Sequence, residues 1–408
     1  MKGDHLMRWL TNIKMETGYD FSRENNIRTK TEYAAIGIED GVIRAIEKDA
    51  VPKEEETVID GQGYLLLPAF ADNHIHLDKG HYGGPWQAVV PVANGVQDRI
   101  REEEGFLLNF LESTPEKAQA LIDLVAGNGA TFLKVQVNVD PVVGLKNLEC
   151  VYEVLKKNSH RLEYEIVVFP QHGTLATEAK GWLTEAMKHP AVTAIGGLDP
   201  ATIDGDIEAS LKTVFDLAAA YQKQIDIHLH DGGTLGLFEM HRIVDYTEKY
   251  QMEGRVQISH GFCLADHPEK EIIRIAQRLS QAGIAINSAV PLDGAPNLPL
   301  LRRNGVKVHV VNDNINDHWS PFGTGDLLQR ASRGAEKFDQ VDERSLAQCL
   351  SMVTRGVAPL SWEGELQWPK PGDPADFVLV PAESAAHAVA RVPQERVVIF
   401  KGEVVSQK

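Results

Sequence analysis

Two histidines one residue apart, His74 and His76, stand near the end of the stretch LPAFADNHIHLDKG at residues 67–80. The residues before them are mostly apolar, as in a buried strand. Side chains alternate faces along a strand, so the two imidazoles point to the same side. Polar endings recur after other apolar runs. IDIHLHD (225–231) ends in His228, His230 and Asp231, and VQISHG (256–261) carries His260. KVHVVNDN (307–314) ends in Asp313 and Asn314, EYEIVVFPQ (163–171) in Gln171, and VTAIGGLD (192–199) in Asp199. A single histidine at a strand end is ordinarily a structural residue. Several such endings gathered together call for chemistry. Neutral imidazole nitrogen and carboxylate oxygen suit Zn(II) or Fe(II), and a catalytic centre of this type keeps a position for water. His74, His76, His228 and Asp313 offer three nitrogens and one oxygen. One divalent transition metal per chain, zinc or iron, is the expected cofactor.

The elements that would bring these residues together are legible as alternating patterns. Eight apolar runs, at 64–78, 131–140, 163–171, 192–199, 225–231, 256–261, 284–290 and 307–314, are separated by stretches of helical spacing. TPEKAQALIDLVAGNG is one of them, with Thr114 as its expected N-cap and Glu116 in the first turn. Strands alternating with helices give an α/β protein with a parallel sheet, and eight strands close a (β/α)8 TIM barrel. All strand C-termini then lie on one face, where this architecture carries its active sites. An open doubly wound sheet is the alternative. Residues 31–66 instead read as β hairpins, with Asp40-Gly41 as a two-residue turn. ADFVLV (375–380) and RVVIFKGEVV (396–405), the latter broken at Lys401-Gly402, read the same way. The expected division is a small β-sandwich domain from residues 1–66 plus 361–408, and a barrel over 67–360.

Composition narrows the class. Hydrophobic residues make up 43% and charged residues 24% of the 408-residue chain, ordinary for a globular protein. A net charge of −17 repels phosphate backbones and anionic lipid, so neither nucleic acid nor membrane is an expected partner. The N-terminal segment MKGDHLMRWLTNIKMETGYD lacks the apolar core of a secretory signal. Cys150, Cys263 and Cys349 have no CxxC spacing and are expected as reduced thiols in a cytoplasmic protein.

The motifs HIHLD, FPQHG (169–173), HLHD (228–231), SHGF (259–262) and NDNINDHWSPFGTGD (312–326) resemble the cytosine deaminase-like branch of the amidohydrolase superfamily. PGDPADFVLV is similar to the strand that closes the small β-sandwich of that branch, and the likeness runs from about residue 34 to the C-terminus. The resemblance implies a mononuclear centre on His74, His76, His228 and Asp313. His260 would orient or polarise the bound water, and Gln171 would hydrogen-bond the substrate ring. It implies a metal-dependent hydrolase, a deaminase or aminohydrolase. Hydroxide on the metal would cleave an exocyclic C–N bond of a nitrogen heterocycle such as cytosine, an aminotriazine or an ammelide, releasing ammonia or an alkylamine. Asp313 would take the proton of the water, and His230 or Asp231 would protonate the ring nitrogen. The partner is thus a small nitrogen heterocycle, and the branch often assembles into homo-oligomers.

Two positions depart from cytosine deaminase. Asp231 stands where its fifth-strand motif HxxE has Glu, and Asn314 stands where it has a second Asp. Both changes fit triazine-type relatives better than cytosine itself. Trp319, with His81, Trp86 and His318, lies just past strand ends on loops that could wall the pocket, and Lys79 could cap its rim or bond a carboxylate. Two rival readings exist. A cyclic-amide hydrolase of the dihydropyrimidinase type would bridge two metals with a carboxylated lysine, for which Lys134 is the only strand lysine with a claim. A metal-bearing barrel without catalysis is the other.

Overall fold

The computed structural model describes residues 7–22, 27–48 and 50–408. The first six residues of the N-terminal segment, read above for a secretory signal, lie outside them. Contacts divide the chain into two units, one of residues 1–71, 125–132 and 326–408, the other of residues 72–124 and 133–325.

The first unit is organised by a sheet drawn from both chain ends. Its strands are β1 (Arg8–Asp20), β2 (Arg28–Glu39), β3 (Val42–Glu47), β4 (Thr57–Asp60) and β5 (Leu65–Pro68). The barrel strands follow as β6 (Phe70–His76), β7 (Ala130–Asn138), β8 (Glu163–Phe169), β9 (Val192–Leu198), β10 (Gln224–Leu229), β11 (Val256–His260), β12 (Ala285–Ser288) and β13 (Val308–Val310). The C-terminal strands β14 (Phe377–Val380), β15 (Val397–Phe400) and β16 (Glu403–Gln407) return to the first sheet, whose order is β16-β15-β14-β5-β1-β2-β3 with β4 beside β1. Both expected hairpin turns have two consecutive residues with positive φ, 52° and 72° at Asp40-Gly41 and 50° and 80° at Lys401-Gly402. That is the geometry whose twist matches antiparallel strands. Leu10, Ile13, Ile36, Leu66, Phe377 and Ile399 build the core on this sheet.

The second sheet runs β13-β12-β11-β10-β9-β8-β7-β6 and is parallel. It closes where Ile75 bridges to Asp313 in parallel. Asp313 N donates to His74 O at 2.9 Å and His76 N donates to Asp313 O at 3.3 Å. The fold is therefore a (β/α)8 barrel, not an open sheet. The barrel strands agree with the eight apolar runs, with one refinement. The run 64–78 holds two strands. Leu65–Pro68 pairs antiparallel with Phe377–Val380 in the terminal sheet, and the barrel strand begins only at Phe70. The long β1 was not expected; its residues alternate too weakly (RWLTNIKMETGYD) to announce a strand. Thr114 does not cap its helix. It is the first helical residue, and its hydroxyl donates back to Phe110 O at 2.9 Å, which leaves it no role as an N-cap.

One buried acid makes the terminal unit sensitive to pH. Glu16 on β1 is 2% exposed and accepts from Ala385 N at 2.6 Å. Burial pushes its carboxyl up to about 7, more than the backbone hydrogen bond lowers it. An unfolded glutamic acid releases its proton near 4.3. Between those values the unfolded chain loses the proton first, so stability falls as pH rises toward 7. Glu16→Gln keeps an acceptor for Ala385 without the titration. Raising the pH from about 5 to about 8 should therefore cost the wild type roughly 2–3 kcal/mol more than the variant, read from denaturant midpoints of both at each pH.

Candidate active site

Strands β6, β10 and β11 and the residues after β13 deliver the histidines and Asp313 to one end of the barrel. His74 Nε2 lies 3.4 Å and His76 Nε2 3.5 Å from Asp313 Oδ1, and His228 Nε2 lies 3.4 Å from His76 Nε2. Ligand atoms of His74, His76 and Asp313 fall within 4.8 Å of one another, as do those of His74, His228 and His260. Donors about 2.1 Å from a tetrahedral ion lie about 3.4 Å apart, the spacing seen here. His74 Nε2 is buried without a hydrogen-bond partner, and so is His260 Nε2. Lone pairs facing one another at such distances are poorly matched as hydrogen bonds and well matched to a shared cation. The two groups share His74, and together they make this cluster a candidate site for a divalent metal.

A layer behind the donors sets their orientation. Ser259 Oγ donates to Asp226 Oδ1 at 2.7 Å, so its lone pair accepts from His74 Nδ1 at 2.8 Å. Gln136 Nε2 donates to Asp226 Oδ2 at 3.0 Å, and Asp226 Oδ2 lies 3.7 Å from His74 Nδ1. With a cation on Nε2, the one remaining ring proton would sit on Nδ1, toward Ser259 and Asp226. Burial resists charge on His74, but Asp226 and Asp313 outweigh it and push the imidazole up to about 9. Burial and Lys79 take His76 down to about 3. Burial and neighbouring imidazoles hold His228 and His260 well below the ordinary range. Burial alone would raise Asp313, but the surrounding histidines hold it well below the usual carboxylate range, so it is ionised. Asp313 and His260 adopt left-handed φ of 59° and 73°, uncommon for residues with a side chain and typical of functional sites.

A cleft opens over this cluster, lined by His76, Lys79, Phe169, Gln171, His228, His230, His260, Asp313, Asn314 and Trp319. Lys79 is 2% exposed and turns inward, so it is no rim cap. It donates to Gln171 Oε1 at 2.5 Å and to Asn138 Oδ1 at 3.4 Å, and faces Glu103 at 3.6 Å. Glu103 is fully buried. Burial would raise its carboxyl, but Lys79, His318 and Trp319 bring it down to about 2. Trp319 Nε1 donates to Glu103 Oε2 at 3.3 Å. Across the cleft, Asn314 gives its amide N–H to Asp317. His230 pairs through Nδ1 with Asp199 Oδ2 at 2.8 Å and stacks on His260, centroids 4.3 Å apart.

The structure gathers His74, His76, His228, His230, His260, Gln171, Asp313, Asn314 and Trp319, and leaves Asp231 out. The Asp231 side chain leaves on the other side of the chain, accepts from Thr202 Oγ1, and faces Glu239. Alternation beyond His230 turns it away from the barrel axis. The partner that fixes the ring of His230 is Asp199, not Asp231. His81 and His318 line a neighbouring cavity, and Trp86 is 74% exposed and lines neither space. Lys134 reaches Gln224, Gln257 and Glu165 near the starts of β10, β11 and β8, at the barrel end away from the histidines. Sequence reading missed Glu103 and Asp226. The signals were there. Arg99, Ile100 and Glu103 share one buried helical face, and Asp226 precedes His228 by two on the same strand face.

Comparison with known proteins places this site in context. The chain is 39% identical over 402 residues to the uncharacterized protein YahJ of Escherichia coli (strain K12), covering 97% of this chain and 87% of that protein. It is 27% identical over 356 residues to the N-isopropylammelide isopropyl amidohydrolase of Pseudomonas sp. (strain ADP), covering 85% and 87%. The crystal structure of N-isopropylammelide isopropylaminohydrolase from Burkholderia multivorans ATCC 17616 superposes with a TM-score of 0.87 at 30% identity, covering 98% of each chain. The two N-isopropylammelide enzymes agree with the branch that the motifs resemble. Residues 178–406, more than half of the chain and including β10 to β13 with His228, His260 and Asp313, match the amidohydrolase family, and the chain belongs to that family.

Proposed function

We propose that this enzyme hydrolyses the exocyclic C–N bond of an oxo-substituted nitrogen heterocycle of the ammelide or cytosine kind, leaving a ring carbonyl and releasing ammonia or an alkylamine. The observation that carries this reading is the opposed polarity of two fixed amides beside the donor cluster. Lys79 occupies Oε1 of Gln171, so the Gln171 amide offers its N–H groups to the cleft. Asp317 occupies the amide nitrogen of Asn314, so Asn314 offers its oxygen. A ring oxygen or ring nitrogen lone pair suits the first, and the N–H of an exocyclic amine suits the second. The ammonium of Lys79 adds positive charge where a ring oxygen gains electron density. The ring face would lie against Trp319.

His74, His76, His228 and Asp313 would hold one divalent ion, Zn(II) or Fe(II). When bound, such an ion supplies Lewis acidity and a hydroxide nucleophile at neutral pH. The residues do the rest. Water adds to the ring carbon that bears the exocyclic nitrogen, and Asp313, partly buried and ionised, accepts its first proton. His230, with Nδ1 held by Asp199, has Nε2 left for the cleft and relays that proton to the ring nitrogen. The hydroxyl of the adduct then gives its proton to Asp313, which passes it to the amine as the C–N bond breaks and the ring carbonyl forms. His260, stacked on His230, holds the water against Asp313. Asp231 takes no part in the transfer. The rival cyclic-amide hydrolase lacks its bridging lysine, because Lys134 is engaged at the other end of the barrel.

Three outcomes test this reading. Metal-replete protein incubated with aminopyrimidines, aminotriazines, pterins and their N-alkyl relatives should release ammonia or alkylamine from at least one ring, and release from none of them would overturn the reading. Metal analysis of purified variants should find about one equivalent in the wild type and in His230→Ala, and less than a tenth of that in His76→Ala and His228→Ala. Asn314→Ala should lower kcat/KM by about tenfold for substrates whose leaving nitrogen bears a hydrogen, the loss of one hydrogen bond in the transition state. Substrates with a fully alkylated nitrogen should respond less.

A further inference from the structure

We infer that the cavity beside the catalytic cleft is a second ligand site, one that takes a planar organic anion carrying an N–H or O–H donor. The cavity is open to solvent and has a volume of about 330 Å³, and its walls include His81, Arg99, Phe106, Phe110, Lys117 and His318. That is room for a small ring.

Its charge runs against the rest of the molecule. The chain carries a net −17, yet the cavity presents two cations and one carboxylate. Arg99 and Glu102 neutralise one another at 2.6 Å. Lys117 has no carboxylate at ion-pair distance among the described residues, and its ammonium lies 4.5 Å from the centroid of the Phe110 ring. Burial pulls its pKa down, so an anion beside it would be stabilising.

Its walls suit a flat group. Phe106 meets Phe110 and His318 edge to face, with centroids 5.0 Å apart in both pairs, and His81 leans on Phe110 at 5.5 Å. A ring placed among these edges and faces gains the usual aromatic contacts. His318 adds a polar reason. Its Nε2 lies 3.2 Å from a carboxylate oxygen of the ionised Glu103, whose charge favours the ring proton on that nitrogen. Neither ring nitrogen of His318 has a hydrogen-bond partner, and with the proton on Nε2 the buried Nδ1 is left as an acceptor. An unmatched buried acceptor is costly, and a ligand N–H or O–H would satisfy it.

The cavity is preformed and distinct from the cleft. His81 N and Tyr82 N both donate to Asn316 O, at 2.8 and 3.1 Å, which ties the loop after β6 to the loop after β13. Gly83, at φ 85°, lets the same loop press on the following helix, where a Cβ would come within 2.8 Å of Ala120 Cβ. His318 lines the cavity and Trp319 lines the cleft, and both face Glu103.

Titration calorimetry of the metal-replete protein with 4-hydroxybenzoate tests the site. The expected result is saturable binding of one molecule per chain, weakened about tenfold or more in Lys117→Met and largely restored in Lys117→Arg. Benzoate, which lacks the hydroxyl donor, should bind more weakly than 4-hydroxybenzoate to the wild type. His228→Ala, which disables the donor cluster, should bind the probe as the wild type does. Unchanged affinity in Lys117→Met, loss of binding in His228→Ala, or the absence of saturable binding would each overturn the inference. Phe110→Leu serves as a second variant should Lys117→Met fold poorly, with weaker binding expected and unchanged binding counting against the site. The readout is binding, so the result decides this site whether or not any ring is hydrolysed.

Discussion

Asp313 gives its backbone N–H to the carbonyl of His74 and accepts the N–H of His76. Through these two bonds the first and last strands of the barrel meet, and the side chains of the same three residues converge on one point. Closure of the barrel and assembly of the donor cluster are therefore a single event. The register of the seam cannot slip by a residue without turning both imidazoles to the other face of β6. The left-handed backbone at Asp313 is part of the same arrangement, a conformation that costs on the order of 1–3 kcal/mol for such residues and persists only where the surroundings impose it.

Around that seam the barrel interior holds many buried polar side chains, several of them joined in hydrogen-bond chains. Asp226, Gln136 and Ser259 orient His74. Lys79 and Glu103 form a buried ion pair whose remaining donors and acceptors reach Gln171, Asn138 and Trp319. A buried ion pair contributes little net stability, because both ions must leave water. What it provides is geometry. Removing either partner strands a charge, so the pair fixes which atom of Gln171 faces the cleft and where the Trp319 ring sits. The same reasoning explains why helix 96–104, inserted between the first two barrel strands, belongs to the site: its inward face brings Glu103.

Several sequence expectations changed in contact with the fold. The apolar run 64–78 contains a register change between two sheets, because Leu65–Pro68 finds its partner in Phe377–Val380, more than three hundred residues away. Nothing in the local spacing marks that partner. Asp231 has the residue type and position of a proton carrier but faces Thr202 and Glu239. Asp199, noted only as a strand end, is the residue that holds His230, because β9 and β10 lie side by side with Leu198 opposite His228.

The sequence by itself determined the eight barrel strands and the two hairpin turns, and it named the candidate donors. These follow from rules of short range: alternation along a strand, the positive φ that Asp-Gly and Lys-Gly accommodate, and the ligand chemistry of imidazole and carboxylate. Only the tertiary structure decided which atoms of those residues face the cleft. The inward polarity of Gln171 and Asn314 depends on Lys79 and Asp317, and the tautomer of His74 depends on Ser259, 185 residues away. Side-chain amides and imidazoles present either a donor or an acceptor, and which one is settled by the neighbour that takes the other end. That neighbour is chosen by strand order and loop packing across the barrel, for which a local pattern carries no signal.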